Sequence, residues 1–528
     1  MNRDEGQRKR LSVAMILADV DQAVSSSLES VREIADEIVV VDASSSVATR
    51  ADVAPLATQF LEVSWQNDFS IVRNTCLEAT NGDWILWLEA GETLTEQAAD
   101  QLRAFVDGSA DSGKAYRLLV QTPAAAGSFA GLQLAQHRLI PRHQGLHFCG
   151  SARENLDLSV IACGLESETI DLAILRPALA HQLELNLQKA RRILRICEEK
   201  IPGSPTDARL HLARAEALAE LGEWGEARSS FQQSRQSAAA GSTEALESYY
   251  GELASYDNDL ALREQQLNLC IEALKSFPVD VQLLCAMGNY LQQQQRIDLA
   301  ARAYQTAVEH GQIHYGTWHL IDIADIATTC LSVTLELQDQ EEHARAILEN
   351  TLLERPTSTR MRHQLIDLHV RHGRRKEAIE QAARLPADWP HREAFTNAVR
   401  GACLAGEQNW PGAEAYLQTA FDAGCHDVLC LRWLSLTYAA LENFEAAQEI
   451  LDQWQAVEPD SQEIPKITAS ILTRKFNHSA SHVPTVSGSA IPTTFHLHQP
   501  GVGNDSPPQP KSATATLGRQ PGDRSETA

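Results

Sequence analysis

The stretch Asn81–Leu94, NGDWILWLEAGETL, sets a short apolar run, Trp84–Leu88, between a turn and a group of acids. Five apolar residues in a row show no polar alternation, so the run reads as a strand buried on both faces, the pattern of a parallel sheet covered by helices. Such a strand delivers Glu89 and Glu92 to its far end, with Gly91 between them. Ligands of open parallel sheets bind beyond the carboxyl ends of the strands, so this is where chemistry is to be sought.

Similar runs lie on either side. LSVAMIL at 11–17 and EIVVVD at 37–42 are apolar and β-branched, and helix-length segments such as VSSSLESVREIA and DFSIVRNTCLEAT separate them. This alternation over residues 11 to about 120 indicates βαβ units and a mainly parallel sheet. The strand ends carry Asp19, Asp42 and Glu89. Three acid-tipped strands form a constellation, although Asp is also a common turn former and helix N-cap after a strand.

The whole chain sets the bounds. Its 528 residues, 43% hydrophobic and 22% charged, exceed one ordinary domain. With 70 acidic against 45 basic side chains the formal charge is −25, which argues against nucleic acid or an anionic membrane surface as the main partner. No apolar run approaches the roughly 20 residues of a membrane span. Residues 1–10, rich in charge, read as a flexible start. The ten cysteines are scattered without a C-x-x-C pair, as expected of a cytoplasmic protein whose thiols stay reduced.

From about 205 to 460 the strands vanish and a period appears. Small residues recur at Ala227, Ala300, Ala344, Ala378, Ala413 and Ala447, the last four separated by 34, 35 and 34 residues. The 73 residues between Ala227 and Ala300 leave room for a further, irregular unit. Companions repeat as well: Gly222, Trp224 and Phe231 around Ala227, Met287, Gly288 and Ala307 around Ala300, and Leu434, Tyr438, Phe444 and Pro459 around Ala447. Pro278 and Pro356 close their units. This pattern resembles the tetratricopeptide repeat, a helix pair that stacks on its neighbours because it cannot bury its apolar face alone.

Beyond about 476 the composition turns to Ser, Thr, Pro and Gly, a segment expected to be disordered. Its histidines, His478, His482, His496 and His498, stand without a cysteine or carboxylate cluster and read as solvated.

The segments LSVAMI, SLESVREIADEIVVVD and WQNDFSIVRNTCLEATNGDWILWLEAGETL together resemble family 2 glycosyltransferases of the GT-A fold, in the branch that carries tetratricopeptide repeats after the catalytic domain. The likeness covers about residues 11 to 155. It implies an α/β, Rossmann-like domain over 11–185, an all-α solenoid over 186–475 and a disordered tail over 476–528. It also implies binding of a nucleotide-diphosphate sugar and its transfer to an acceptor. On this resemblance Asp19, Asp42, Arg73 and Glu89 would bind the nucleotide-sugar, Glu89 and Glu92 would hold Mg²⁺ or Mn²⁺ against the diphosphate, and Glu154 would be the general base.

The chain departs from the family at several of these positions. Asp-Ala-Asp-Glu of the family is Glu89-Ala90-Gly91-Glu92 here, and glycine offers a cation no side-chain oxygen. The first-strand end, commonly Lys-Asn-Glu-Glu, is Ala18-Asp19-Val20-Asp21; the loop Asp-Thr-Gly-Ser-Thr-Asp runs from Asp42 to Val47; and Gly-Arg-Val-His-Glu is Gly150-Ser151-Ala152-Arg153-Glu154, with Arg153 where the His would face the metal. Asp68-Phe69-Ser70 and Arg73-Asn74 match closely.

Each residue has a structural alternative. Asp42 suits a capping turn, Arg73 an ion pair, and Glu92 the cap of a helix starting near Thr95. Trp84 and Trp87 read as packing residues rather than a sugar platform. Two functions therefore stand side by side: a glycosyltransferase whose repeats select an acceptor or peptide partner, and a catalytically degenerate relative acting as a repeat scaffold for protein partners. Motifs of metal-dependent hydrolases and phosphate-binding loops are absent from the sequence.

Overall fold

The computed structural model describes residues 8–476, apart from 18–23, 45–50, 52, 125–129, 177–182, 258–261, 388, 390, 459–460 and 462. Asp19 and the carboxyl-terminal tail lie outside the described residues, as do Val47 and Pro459.

The first third is an α/β region around one sheet. Strands β1 (Leu11–Leu17), β2 (Glu37–Asp42), β3 (Gln59–Glu62) and β4 (Trp84–Trp87) are parallel, and β5 (Lys114–Thr122), β6 (Leu132–Pro141) and β7 (Glu166–Leu175) extend the sheet in the order β3-β2-β1-β4-β6-β5-β7. β6 runs antiparallel to both β4 and β5. Every residue of β1 is buried, because alternate side chains serve two cores. Val13, Met15 and Leu17 pack with Leu28 of α1 (Val24–Val31) and Leu102 of α3 (Glu96–Gly108). Ala14 and Ile16 pack with Val72 and Cys76 of α2 (Phe69–Ala79) and Val160 of α4 (Asp157–Ala162). The unbroken apolar runs of the sequence are thus explained.

Helices then take over. After α5 (Leu183–Lys200) come α6 (Ala208–Glu220) and α7 (Trp224–Ser237), α8 (Thr243–Ala254) and α9 (Arg263–Ser276), and α10 (Val281–Gln293) and α11 (Ile297–His310). They continue as α12 (Ile323–Glu336) and α13 (Glu341–Glu354), α14 (Thr359–Arg371) and α15 (Arg375–Ala383), α16 (Arg392–Gly406) and α17 (Trp410–Asp422), and α18 (Val428–Ala440) and α19 (Phe444–Val457). A last helix, α20 (Glu463–Phe476), closes the stack.

All six anchor alanines are fully buried and occupy the fourth position of the second helix of a pair. The irregular unit proves to be α8 and α9, where Gln266 fills that position, fully buried. Its Nε2 donates to the Leu253 carbonyl (3.1 Å) and to Asp257 (2.6 Å). A buried amide is tolerated because it is hydrogen-bonded, and no small-residue signal announces it.

The two regions share core and sheet. Strand β8 (His319–Leu320), from the loop between α11 and α12, pairs with Leu132 and Gln133 of β6. Val120, Leu132 and Leu134 join the solenoid's main apolar cluster, and Trp65 and Phe69 pack on Ile196, Leu210 and Ala213.

Glycine at the first-helix positions has a packing reason. A Cβ on Gly288 would stand 2.6 Å from the Tyr304 ring, whereas one on Gly225, near the start of α7, would meet nothing within 4 Å. Overpacking costs about 1–3 kcal/mol, and helix propensity favours alanine over glycine by about 1 kcal/mol. We expect Gly288→Ala to lower the melting temperature and Gly225→Ala to leave it unchanged or raise it, as followed by circular dichroism at 222 nm. Equal effects from the two substitutions would refute this account of the repeat packing.

Candidate functional site

At the tip of β4 the chain reverses in a tight turn, the Glu92 N–H donating to the Glu89 carbonyl at 3.0 Å. Gly91 sits at the third position with φ +89°. A type II turn requires positive φ there, so glycine is the residue that fits. Its N–H donates to the Ser27 hydroxyl at 2.9 Å. The glycine between the two acids therefore serves the backbone.

The turn folds Glu92 back under Glu89. Glu92 Oε2 accepts the Glu89 N–H at 2.9 Å, while Oε1 accepts from Arg138 (2.9 Å) and Arg176 (2.8 Å). The residue is 1% exposed. The alternative role as a helix cap does not hold, since the Thr95 hydroxyl accepts the Ala98 N–H and caps α3.

Arg73, on α2, joins the other two acids. Its Nη1 donates to Glu89 and its Nε to Glu154, each at 2.5 Å, and its guanidinium lies 5.0 Å from the Trp87 ring centre and 5.2 Å from that of Phe148. The Trp87 indole N–H donates to the same Glu89 oxygen at 2.7 Å. Burial pushes the Glu89 carboxyl up, but the Arg73 and Arg138 charges outweigh this and bring it down to about 2. Glu154 shifts the other way, because its burial exceeds what Arg73 alone returns. Asp68 caps α2 by accepting the Ser70 N–H (2.9 Å) and takes the Ser151 hydroxyl on its second oxygen (2.8 Å), which ties α2 to the segment carrying Glu154.

Arg73 and Glu89, expected to bind the nucleotide-sugar, and Glu154, the expected general base, thus converge, and Glu92 lies beside them. Asp42 does not join the network. It is 2% exposed, and its Oδ1 accepts the Ser44 N–H (2.8 Å) and hydroxyl (2.6 Å) in a local turn. Arg153, which stands where the glycosyltransferase motif has a metal-facing His, turns away. With φ +51° it reaches the solenoid and pairs with Glu216 on α6 and Glu247 on α8.

The carboxylates do not fit a divalent cation. Both Glu92 oxygens are already donated to, Glu89 Oε1 receives Arg73 and Trp87, and three guanidiniums meet three carboxylates. A Mg²⁺ or Mn²⁺ ion needs oxygen ligands free of competing cations. Among the described residues no group of three or more His, Cys, Asp or Glu is arranged to hold a metal.

Arg138 and Arg176 were not foreseen. A signal existed for the first: LQLAQHRLIP places an arginine inside a strand that is largely buried, where it also donates to Gln136 two residues earlier at 2.9 Å. Arg176 follows β7 and also lies over the Trp318 ring, 5.4 Å from its centre, a pairing that spans 142 residues and that only the fold creates.

No family model matches the chain. A TPR repeat-containing protein of Synechococcus elongatus is 36% identical over 98 residues, which are 19% of this chain and 24% of that protein. The chain thus spans about a quarter of that relative's length. The helical half is a tetratricopeptide-type solenoid. Among solved structures, a tetratricopeptide repeat protein from Parabacteroides merdae aligns at 12% identity and a TM-score of 0.40, over 50% of this chain and all but 1% of that one. Yeast Tom70 aligns at 12% identity and a TM-score of 0.35, over 55% of this chain and 60% of its own.

Two expectations follow. Gly91→Asp, which places an acid where the glycosyltransferase motif has one, should lower the melting temperature by a few degrees, since a side chain in the left-handed region costs about 1–2 kcal/mol; it should create no Mn²⁺ binding by calorimetry, and a saturable Mn²⁺ isotherm would contradict the reading of this turn. For Glu89, the folded pKa lies below the ordinary glutamate value of 4.5, so its contribution is present above 4.5 and lost as pH falls toward about 2. The melting-temperature gap between the native chain and Glu89→Gln should therefore be widest above pH 4.5 and close toward pH 2. A gap independent of pH would show that Glu89 is not held by its arginines.

Proposed function

We propose that this chain is an interaction scaffold, in which the solenoid carries the binding surface and the α/β region is its rigid, internally neutralised end. The observation that carries this reading is the state of the strand tips, where each glutamate of the candidate site already has an arginine.

The solenoid narrows where a partner would bind. Its first helices are largely buried, α18 from Leu429 to Ala439 without a break. Across α16, α14 reaches α18 through Asp367 and Arg432 (2.9 Å), and His363 meets Asp427 at 3.0 Å. Arg371 binds Glu336 at 2.5 Å and Arg432 binds Glu463 at 3.0 Å. These pairs fill the inner face with the protein's own charges. The free surface belongs to the second helices. Between α11, α12 and α13 lies a groove of about 410 Å³ with Leu331, Leu335 and Ile347 on its floor and Asp298, Arg302 and His343 at its rim. It suits two or three apolar side chains of a peptide with mixed flanking charge. A reducing, cytoplasmic setting agrees with ten free thiols, eight of them buried. No described helix is long and apolar enough to cross a membrane.

A second reading keeps the glycosyltransferase. Its support is the convergence of Glu89, Glu154 and Arg73 from three separate elements at the carboxyl end of a parallel strand. In that case a nucleotide-diphosphate sugar would have to exchange its phosphates for the carboxylates now on Arg73.

Peptide display against the full chain, followed by titration of the selected peptides, tests the first reading. Ile347→Glu should weaken them by about tenfold or more, since burying an unpaired charge in an apolar groove costs over 1.4 kcal/mol. Calorimetry with a panel of nucleotide-diphosphate sugars, with and without Mn²⁺, should give no heat. Saturable donor binding that disappears in Asp42→Ala would replace the scaffold with the transferase.

A further inference from the structure

Outside the arginine–glutamate network, three side chains from distant parts of the chain meet on the face of the sheet that carries α4. His137 on β6 places its Nδ1 at 2.8 Å from Asp157 Oδ1, the first residue of α4, and its Nε2 at 2.9 Å from the Ser167 hydroxyl on β7. Asp157 accepts only, so Nδ1 carries the ring proton of the neutral imidazole and Nε2 presents its lone pair to the serine O–H. One tautomer is therefore fixed, the one in which a histidine can take a proton from a hydroxyl.

The surroundings follow from the strand register. Ser167 pairs with Ala115 of β5 and His137 with Arg117. The small Ala115 leaves room for the imidazole to reach across β5 to the outer strand. The His137 side chain is only 3% exposed, whereas Ser167 is exposed. The base is thus sheltered and the hydroxyl is open to a substrate. Arg117 lies 3.6 Å from Asp157 and is partly exposed, a cation beside the carboxylate that holds the ring. Leu158 and Ile161, on the first turns of α4, are 54% and 73% exposed, unusual for large aliphatics next to a polar cluster.

From this geometry we infer that Ser167, His137 and Asp157 form a serine-hydrolase site for short-chain carboxylic esters. Ser167 Oγ attacks the ester carbonyl carbon as His137 Nε2 takes its proton. The tetrahedral intermediate collapses with cleavage of the bond to the alcohol oxygen, and the alcohol leaves with the proton from Nε2. Water then attacks the acyl-serine by the same route, giving the carboxylic acid and restoring the Ser167 hydroxyl. Asp157 is a positioning residue that holds the imidazole and balances its charge. Arg117 supplies the positive charge for the developing oxyanion, and Leu158 with Ile161 forms the apolar shelf for the acyl chain. The inference is independent of the scaffold reading and would stand if that reading fell.

The test uses the full chain with a fluorophosphonate probe and with p-nitrophenyl butyrate. Peptide mapping should find the probe on Ser167 in the folded protein and not after denaturation. Ser167→Ala, at an exposed position and with an unchanged circular dichroism spectrum, should abolish labelling and lower ester turnover by about 10²-fold or more, the usual share of a positioned base and nucleophile. Asp157→Asn should lower kcat with little change in KM, and Asp157→Glu should recover part of it; a merely structural Asp157 would leave kcat alone. Labelling elsewhere, labelling equal in Ser167→Ala, or turnover unaffected by that substitution would overturn the site.

Discussion

Three guanidiniums closed on three carboxylates govern this protein. Arg73 holds Glu89 and Glu154, while Arg138 and Arg176 hold Glu92. An isolated buried charge is costly, and a pair repays its desolvation only when the remaining donors and acceptors are also met. Here the backbone N–H of Glu89 and the Trp87 indole add two donors to the carboxylates, and Arg138 Nε is a buried donor that stays without a hydrogen-bond partner among the described residues. The tips of a parallel sheet, where such folds usually leave polar groups open for ligands, are instead satisfied from within. On the scaffold reading proposed above, that closure makes the α/β region a firm end for the solenoid.

The same logic continues into the solenoid. Arg153 leaves the sheet face to pair with Glu216 and Glu247, Trp318 covers Arg176, and β8 adds a rung to β6. Electrostatic, aromatic and backbone contacts thus join the two regions, together with the apolar clusters they share. At the far end Asp367, Arg371 and Arg432 form a second buried network across α14 and α18. Both networks consume charge that would otherwise face a ligand, and they leave the outer helices as the accessible surface.

Much of this organisation was legible in the residues. The apolar runs gave the strands because each side of the sheet has its own core, and the 34-residue spacing gave the helix pairs because only a small residue fits where two helices cross. Gln266 escaped notice because its amide Nε2 is held by the Leu253 carbonyl and Asp257, neighbours that no spacing rule reveals. The acids and Arg73 were found, and the other two partners were missed. Carboxylates at strand ends stand out locally, but Arg138 and Arg176 approach them from residues about 46 and 84 positions away.

What the sequence by itself determined is the set of elements: a buried parallel sheet, a repeating helical stack, and acids at the strand tips, all fixed by local periodicity and side-chain size. What only the tertiary structure decided is the state of those acids and the meeting of His137 with Asp157 and Ser167. Whether a charge is free or paired, and whether a hydroxyl lies beside a base, depends on distances across strands and helices. Those distances arise from packing the whole chain, and no stretch of it encodes them alone.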